Sequence, residues 1–171
     1  RSDGRVMRVL EVGAGTGGTT SALLPLFPRN ATDYTFTDVS GAFFTRAKAR
    51  FDGYVGMSYR TLDLEREPEK QGFENSRYDL VIAANVLHAT HDVVRSLRRL
   101  HQLLAPGGFL LLAESTTKQR LTDLTYGLTP GWWKFQDVNL RGKHPLLSCS
   151  QWSGALSAAG YSTIDIFPSL K

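Results

Sequence analysis

The chain has 171 residues, 42% of them hydrophobic and 21% charged, with a formal net charge of +4; that size and mixture give one globular domain over residues 1–171 and exclude a second full domain. The longest apolar runs fall well short of the ~20 residues a membrane helix needs, and no apolar signal core opens the chain, so neither a span nor a targeting segment is expected. The lone cysteine, Cys149, excludes an intrachain disulfide and a cysteine-based metal site, reads as a plain loop thiol, and fits a reducing, cytoplasmic setting.

In chain order, short β-branched or aliphatic runs alternate with helical patterns, the signature of a mostly parallel sheet with helices on both faces. "RVLEVG" predicts a strand and "TTSALLPLF" a short helix stopped by Pro28. "YTFTDVS" predicts the second strand. "GAFFTRAKARF" follows as a helix, with Phe43, Phe44, Ala47 and Phe51 at helical spacing on one side. "MSYRTLDL" is the third strand, and the near-continuous apolar run "YDLVIAANVL" predicts a central strand buried on both faces. "DVVRSLRRLHQLL" places Val93, Val94, Leu97, Leu100 and Leu104 on one helical stripe, "APGG" supplies the turn, and "FLLLAES" is the fifth strand. Residues 117–148 are irregular and aromatic, too long for a passive connection, and are expected to be partly helical and functional. A helix at "SQWSGALSAAG" and a last strand at "YSTIDIF" close the pattern. The start at Arg1 rather than methionine is expected of a piece of a longer chain.

Ligands of an open parallel sheet gather at the carboxyl ends of its strands, so the residues just past each strand are the candidates. Gly13, Gly15 and Gly18 spell the G-x-G-x-x-G pattern of a dinucleotide turn, and Asp38 ends the second strand where a ribose diol would lie. Glu11, however, sets a carboxylate two residues before the first glycine, where it would oppose a pyrophosphate. S-adenosylmethionine carries no phosphate and fits the loop better. Asp63, just past the third strand, is placed to accept from an adenine amino group with Leu64 beside the ring, and Asn85, past the fourth, lies where the amino acid part of such a cofactor would run.

On these residues the chain resembles the class I S-adenosylmethionine-dependent methyltransferases: "LEVGAGTGG" is similar to their E-x-G-x-G-x-G loop, "FTDVS" to their ribose-binding acidic position, "LDLE" to their adenine position. The resemblance implies a Rossmann-like three-layer α/β sandwich with strand order 3-2-1-4-5-7-6 and an antiparallel seventh strand, for which no run remains after "YSTIDIF". The open edge that leaves is a liability for solubility.

On the acceptor side, His88 follows the fourth strand and Glu114 ends the fifth; neighbouring parallel strands bring such ends together. A carboxylate behind an imidazole fixes its tautomer and raises its basicity, as proton abstraction requires. The other histidines carry less: His91 belongs to the cap region of the next helix, His101 to its Arg-rich face, where Arg95, Arg98 and Arg99 read as a solvated helix face, and His144 to a loop. Neither His-x-x-x-His spacing nor a cysteine cluster points to a metal. Trp132 and Trp133, with Tyr126 of the same tract, wall a substrate pocket or cover the sheet end as core aromatics, two readings of equal weight.

"ANVLHAT", "LLAPGGFLLLAEST", "PLLS" and above all "DLTYGLTPGWWKFQD" resemble the C-methyltransferase domain embedded in multidomain polyketide synthases. That resemblance implies methyl transfer to the α-carbon of a β-ketoacyl chain on an acyl carrier protein, His88 being the base and Glu114 its support, with neighbouring synthase domains as partners. Carrier proteins are acidic as a rule, which suits the basic balance of this chain. Two alternatives stay open: a free-standing O- or N-methyltransferase acting on a small molecule, and a methyltransferase-like domain without activity. A nicotinamide dehydrogenase is disfavoured by Glu11, and nucleic-acid methylation by the absence of an N-P-P-Y-like tract after the fourth strand.

Overall fold

The structure is a computed structural model and describes residues 5–129 and 131–168, so Arg1 and the Pro130 of the aromatic tract lie outside it. The chain divides into two compact units: the described residues up to Ala84 together with Gln102–Ala113, and Asn85–His101 together with the described residues from Glu114 onward. Two of the three cuts fall at the carboxyl ends of strands, and the third, between His101 and Gln102, falls near the end of a helix.

The first unit holds the sheet. Strands β1 (Met7–Val12), β2 (Thr32–Asp38), β3 (Met57–Thr61), β4 (Tyr78–Ala84) and β5 (Leu104–Ala113) pair in the order β3-β2-β1-β4-β5. Every ladder is parallel. The central strand β1 is buried on both faces from Val9 to Val12, as a strand covered on both sides must be. Helices α1 (Gly18–Leu23) and α2 (Phe44–Arg50) fill the crossovers after β1 and β2, and a cluster of Val9, Tyr34, Phe36, Ala47, Phe51, Leu80 and Ile82 forms the core. Phe44, Ala47 and Phe51 pack inward as their spacing predicts, whereas Phe43 precedes the α-helical turns in a 3-10 turn and is 37% exposed.

The predicted "APGG" turn lies inside β5 as an irregularity: Tyr78 pairs with Leu104 and Leu80 with Phe109, so Ala105–Gly108 bulge out of the ladder. Glycine is required at 108, where a Cβ would sit 2.8 Å from the Tyr78 carbonyl oxygen and 3.0 Å from that of Ala105. β5 is an edge strand among the described residues, with Phe109 58% and Leu111 42% exposed.

The second unit is helical. It takes all but the end of α3 (Val93–Leu103), then α4 (Arg120–Thr125), α5 (Val138–Arg141) and α6 (Cys149–Ala159). Asp92 caps α3, its Oδ1 accepting from the Arg95 amide at 2.9 Å. Ser148 and Gln151 form a reciprocal capping box at α6.

Three expectations are corrected here. "YSTIDIF" forms no strand: its alternation suits a sheet, but a strand exists only in a ladder, and no described residue pairs with it. The Arg-rich face of α3 is not one solvated patch, because Arg99 is buried and Arg98 donates to the Ala158 carbonyl. Cys149 is not in a loop but is the first residue of α6. No helix among the described residues is long and apolar enough to cross a membrane.

Candidate active site

The predicted site residues fall in two groups, one in each unit. In the first unit the loop after β1 turns on three glycines in left-handed backbone, Gly13, Gly15 and Gly17, with φ of 62°, 53° and 79°. Gly17 is the one that G-x-G-x-x-G spacing passes over. It stands at the N-cap of α1, and a Cβ there would press to 3.0 Å from the Phe51 ring. Gly18 has ordinary helical backbone, and a Cβ there would meet nothing within 4 Å.

Asp38, buried at the end of β2, accepts from the Gly15 amide through Oδ2 and from the Ser40 amide through Oδ1, both at 3.0 Å. It thereby ties the glycine loop to β2. Each carboxylate oxygen has a second lone pair to offer. Asp63 closes an Asx turn onto the Glu65 amide at 2.9 Å, and its own backbone is clasped by the Gln71 carboxamide at 2.8 and 2.9 Å. Leu64 is buried beside it.

Glu11, expected at the head of the cofactor loop, lies in β1 two residues before Gly13. Its side chain is fully buried, with Oε2 accepting from the Thr20 hydroxyl at 2.5 Å and the Tyr34 hydroxyl at 2.7 Å. Burial raises its pKa above the ordinary carboxylate value against the opposing pull of those two donors. The carboxylate therefore braces β1 against α1 and β2 from inside. In β1 consecutive residues are buried on both faces, so the sequence pattern cannot reveal which way Glu11 points.

In the second unit the chain leaves β4 through Asn85, exposed and at a φ of 49°, a left-handed conformation that asparagine tolerates. A 3-10 turn over Leu87–Ala89 follows. It carries His88 to Glu114, with Nδ1 2.7 Å from Oε2 and side-chain exposures of 13% and 2%. The other oxygen of Glu114 accepts from the amides of Val86 and Leu87 at 2.9 and 2.7 Å. Every partner of the carboxylate thus offers an N–H. That pattern assigns the imidazole proton to Nδ1 and leaves the Nε2 lone pair as the acceptor.

Trp132 meets the His88 ring edge-on and stacks on Tyr126, with centroids 5.2 and 5.7 Å apart. Trp132 is buried, while Tyr126 and Trp133 are 61% and 47% exposed. The two tryptophans therefore differ in setting: the first packs on the His88 ring, and the second donates its indole N–H to the Gly127 carbonyl at 2.8 Å.

Two features escaped the sequence. His144 is buried between both tryptophan rings, 3.0 Å from Asp123 through Nε2, and its Nδ1 accepts the Leu146 amide at 3.1 Å. Arg141 is buried, in ion-pair contact with Asp137 at 2.6 Å, and donates to the carbonyls of His88 and Thr90. Asp137 and Arg141 are four apart, a spacing that signals a helical ion pair, but the four-residue helix that Asp137 precedes and Arg141 ends has no periodicity to read. Among the described residues no cluster of three or more His, Cys, Asp or Glu could hold a metal ion.

Residues 10–110 match the family described as a methyltransferase domain. The lovastatin diketide synthase mokB of Monascus pilosus is 45% identical over 164 residues, which are 93% of this chain and 6% of that one. Among solved structures, the CurJ carbon methyltransferase superposes with a TM-score of 0.95 at 48% identity, over 99% of this chain and 45% of that chain. The trans-methyltransferase CalH, solved in complex with SAH, gives a TM-score of 0.83 at 42% identity, over 91% of this chain and 44% of that one. This chain spans a small part of the synthases it matches and less than half of those solved chains.

Proposed function

The chain belongs to the methyltransferase domain family and has its α/β class I fold, and from that premise we propose that it methylates the α-carbon of a β-ketoacyl chain carried on an acyl carrier protein, within a polyketide synthase. The methyl donor is S-adenosylmethionine, which supplies an electrophilic methyl group on a sulfonium. The loop fits a donor without phosphate: its three glycines at positive φ turn the chain tightly after β1, and the carboxylate of Asp38 keeps lone pairs for a ribose diol. Asp63 and Leu64 take the adenine.

The observation that carries the reading is the His88–Glu114 contact at 2.7 Å, anchored by two backbone amides on the far oxygen of Glu114. The α-carbon of a β-ketoacyl thioester is acidified by the carbonyls on either side. Its proton passes to Nε2 of His88, the imidazolium so formed is stabilised by Glu114, and the enolate left behind is the nucleophile. A carboxylate so fixed needs no reorganisation when the positive charge appears, which is the economy of a preorganised site.

The test is methyl transfer to a β-ketoacyl carrier protein, followed by intact mass. His88→Ala is expected to lower the rate by about 100-fold or more, the contribution usual for a general base. An unchanged rate in that variant removes His88 from the role. Equal methylation of free hydroxyl or amine acceptors would replace the carbon acid by another substrate class.

A further inference from the structure

We infer that Arg141 is a positioning residue for the base, a guanidinium clamp that holds the turn bearing His88 so that the imidazole meets Glu114. The inference rests on reading His88 as the base. Arg141 sends Nη1 to the carbonyl of His88 and Nη2 to that of Thr90, both at 2.6 Å, while its Nε lies 2.6 Å from Asp137 Oδ1. Asp137 in turn accepts the Val93 amide through Oδ2 at 3.0 Å, at the start of α3. The guanidinium has no exposed side-chain surface, and the Phe135 ring lies 5.3 Å from its carbon.

The main chain from Val86 to Thr90 is therefore gripped by opposite charges. Its leading donors, the amides of Val86 and Leu87, go to the anion Glu114; its trailing acceptors, the carbonyls of His88 and Thr90, go to the cation Arg141. The amides of Ala89 and Thr90 bond back to Val86 and Leu87 at 3.1 Å, which closes the 3-10 turn but leaves the carbonyls of 88 and 90 to Arg141. A buried cation is costly and is retained only where its partners are well placed. Two carbonyls two residues apart suit a planar fork and not a single ammonium, so lysine is not an equivalent. The side chain of His88 swings from the backbone that Arg141 holds. A displacement of about 1 Å there is enough to part Nδ1 from Glu114, and misplacements of that size cost about 100-fold in rate.

Long-range ¹H–¹⁵N correlation on protein labelled at histidine reads which ring nitrogen of His88 bears the proton. The unaltered chain is expected to show the Nδ1–H tautomer alone. Arg141→Lys, which keeps the charge and loses the fork, is expected to show mixed tautomers at His88, with kcat down ~10- to 100-fold and KM for S-adenosylmethionine within about twofold. Where Arg141→Lys does not fold, Asp137→Asn removes the counter-charge and leaves the two carbonyl bonds, and a smaller shift in the same direction is expected. Parent-like tautomer and kcat in the folded variant overturn the inference, as does a His88 that is Nε2–H in the parent. If His88→Ala retains full methyl transfer, the base assignment falls, yet the tautomer comparison still decides whether Arg141 positions that ring.

Discussion

Trp132 presents its indole edge-on to the imidazole of His88, with ring centroids 5.2 Å apart and planes at 64°. A ring so placed confines the imidazole to the orientation that Glu114 requires, and Tyr126 stacks on the indole at 5.7 Å. Trp132→Ala is expected to destabilise the chain by about 3–5 kcal/mol, the usual cost of deleting a buried tryptophan. Trp132→Phe keeps an aromatic edge and should lose much less stability while still lowering kcat. Thermal unfolding and single-turnover methylation separate the two effects; equal activity in parent and Trp132→Phe would confine the indole to packing.

The glycine loop gives a sharper contrast between neighbours. Gly17 combines a φ of 79° with a Cβ position 3.0 Å from the Phe51 ring, whereas Gly18 has free space and ordinary backbone. Gly17→Ala should cost about 1–2 kcal/mol from the left-handed conformation alone and weaken cofactor binding. Gly18→Ala should be neutral or stabilising by up to about 1 kcal/mol, because alanine narrows the unfolded ensemble at a helix position it can occupy. Calorimetric titration with S-adenosylhomocysteine and urea unfolding test both. A loss of binding in Gly18→Ala equal to that in Gly17→Ala would return the loop to its G-x-G-x-x-G reading.

Much of this was legible in the sequence, for identifiable reasons. β4 is readable because a strand buried on both faces is a continuous apolar run, and His88 and Glu114 because a parallel sheet fixes where the ends of adjacent strands emerge. Direction and pairing were not. Glu11 meets Thr20 and Tyr34, 9 and 23 residues away, and spacing along β1 is silent on that. "YSTIDIF" has a strand's alternation without a ladder to join. Arg141 reaches carbonyls 53 and 51 residues back from a helix only four residues long, and His144 reaches Asp123 across the aromatic tract.

Glu11 also predicts a pH dependence. Its folded pKa is raised by burial, so the folded state holds that proton to higher pH than the unfolded chain does. Its contribution is complete below the unfolded carboxylate value and is lost as pH rises through the folded one. Glu11→Gln retains an acceptor oxygen for Thr20 and Tyr34 and cannot ionise. Its stability relative to the parent is expected to climb as pH rises from about 4 to 7, measured by urea unfolding at each pH. A constant difference across that range would mean that the group titrates alike in the folded and unfolded states. Tyr34→Phe, which strips one donor from the buried anion, should cost about 1–3 kcal/mol at neutral pH.

The edge of the sheet carries a different expectation. β5 pairs with β4 alone among the described strands and exposes Phe109 and Leu111 on alternate positions of one face. Exposed edges of this kind template association between chains. Sedimentation velocity of this chain should show concentration-dependent self-association that Phe109→Lys relieves. Equal behaviour of the two proteins would place the sticking surface elsewhere.

Glu114→Gln isolates the tautomer from the packing. In the parent, one carboxylate oxygen accepts two backbone amides and the other faces Nδ1 of His88, so the side chain must be an acceptor on both arms. A glutamine has one acceptor oxygen. If that oxygen keeps the amides of Val86 and Leu87, which cannot turn away, the NH₂ arm faces His88 and the imidazole must offer a lone pair at Nδ1. The proton moves to Nε2, the atom assigned to take the substrate's proton, and the base is blocked with its geometry intact. Methyl transfer should fall by about 10²- to 10⁴-fold with thermal stability changed little, and the ¹⁵N spectrum of His88 should switch to the Nε2–H form. A variant that loses activity while His88 keeps its Nδ1 proton would show that Glu114 acts by charge alone.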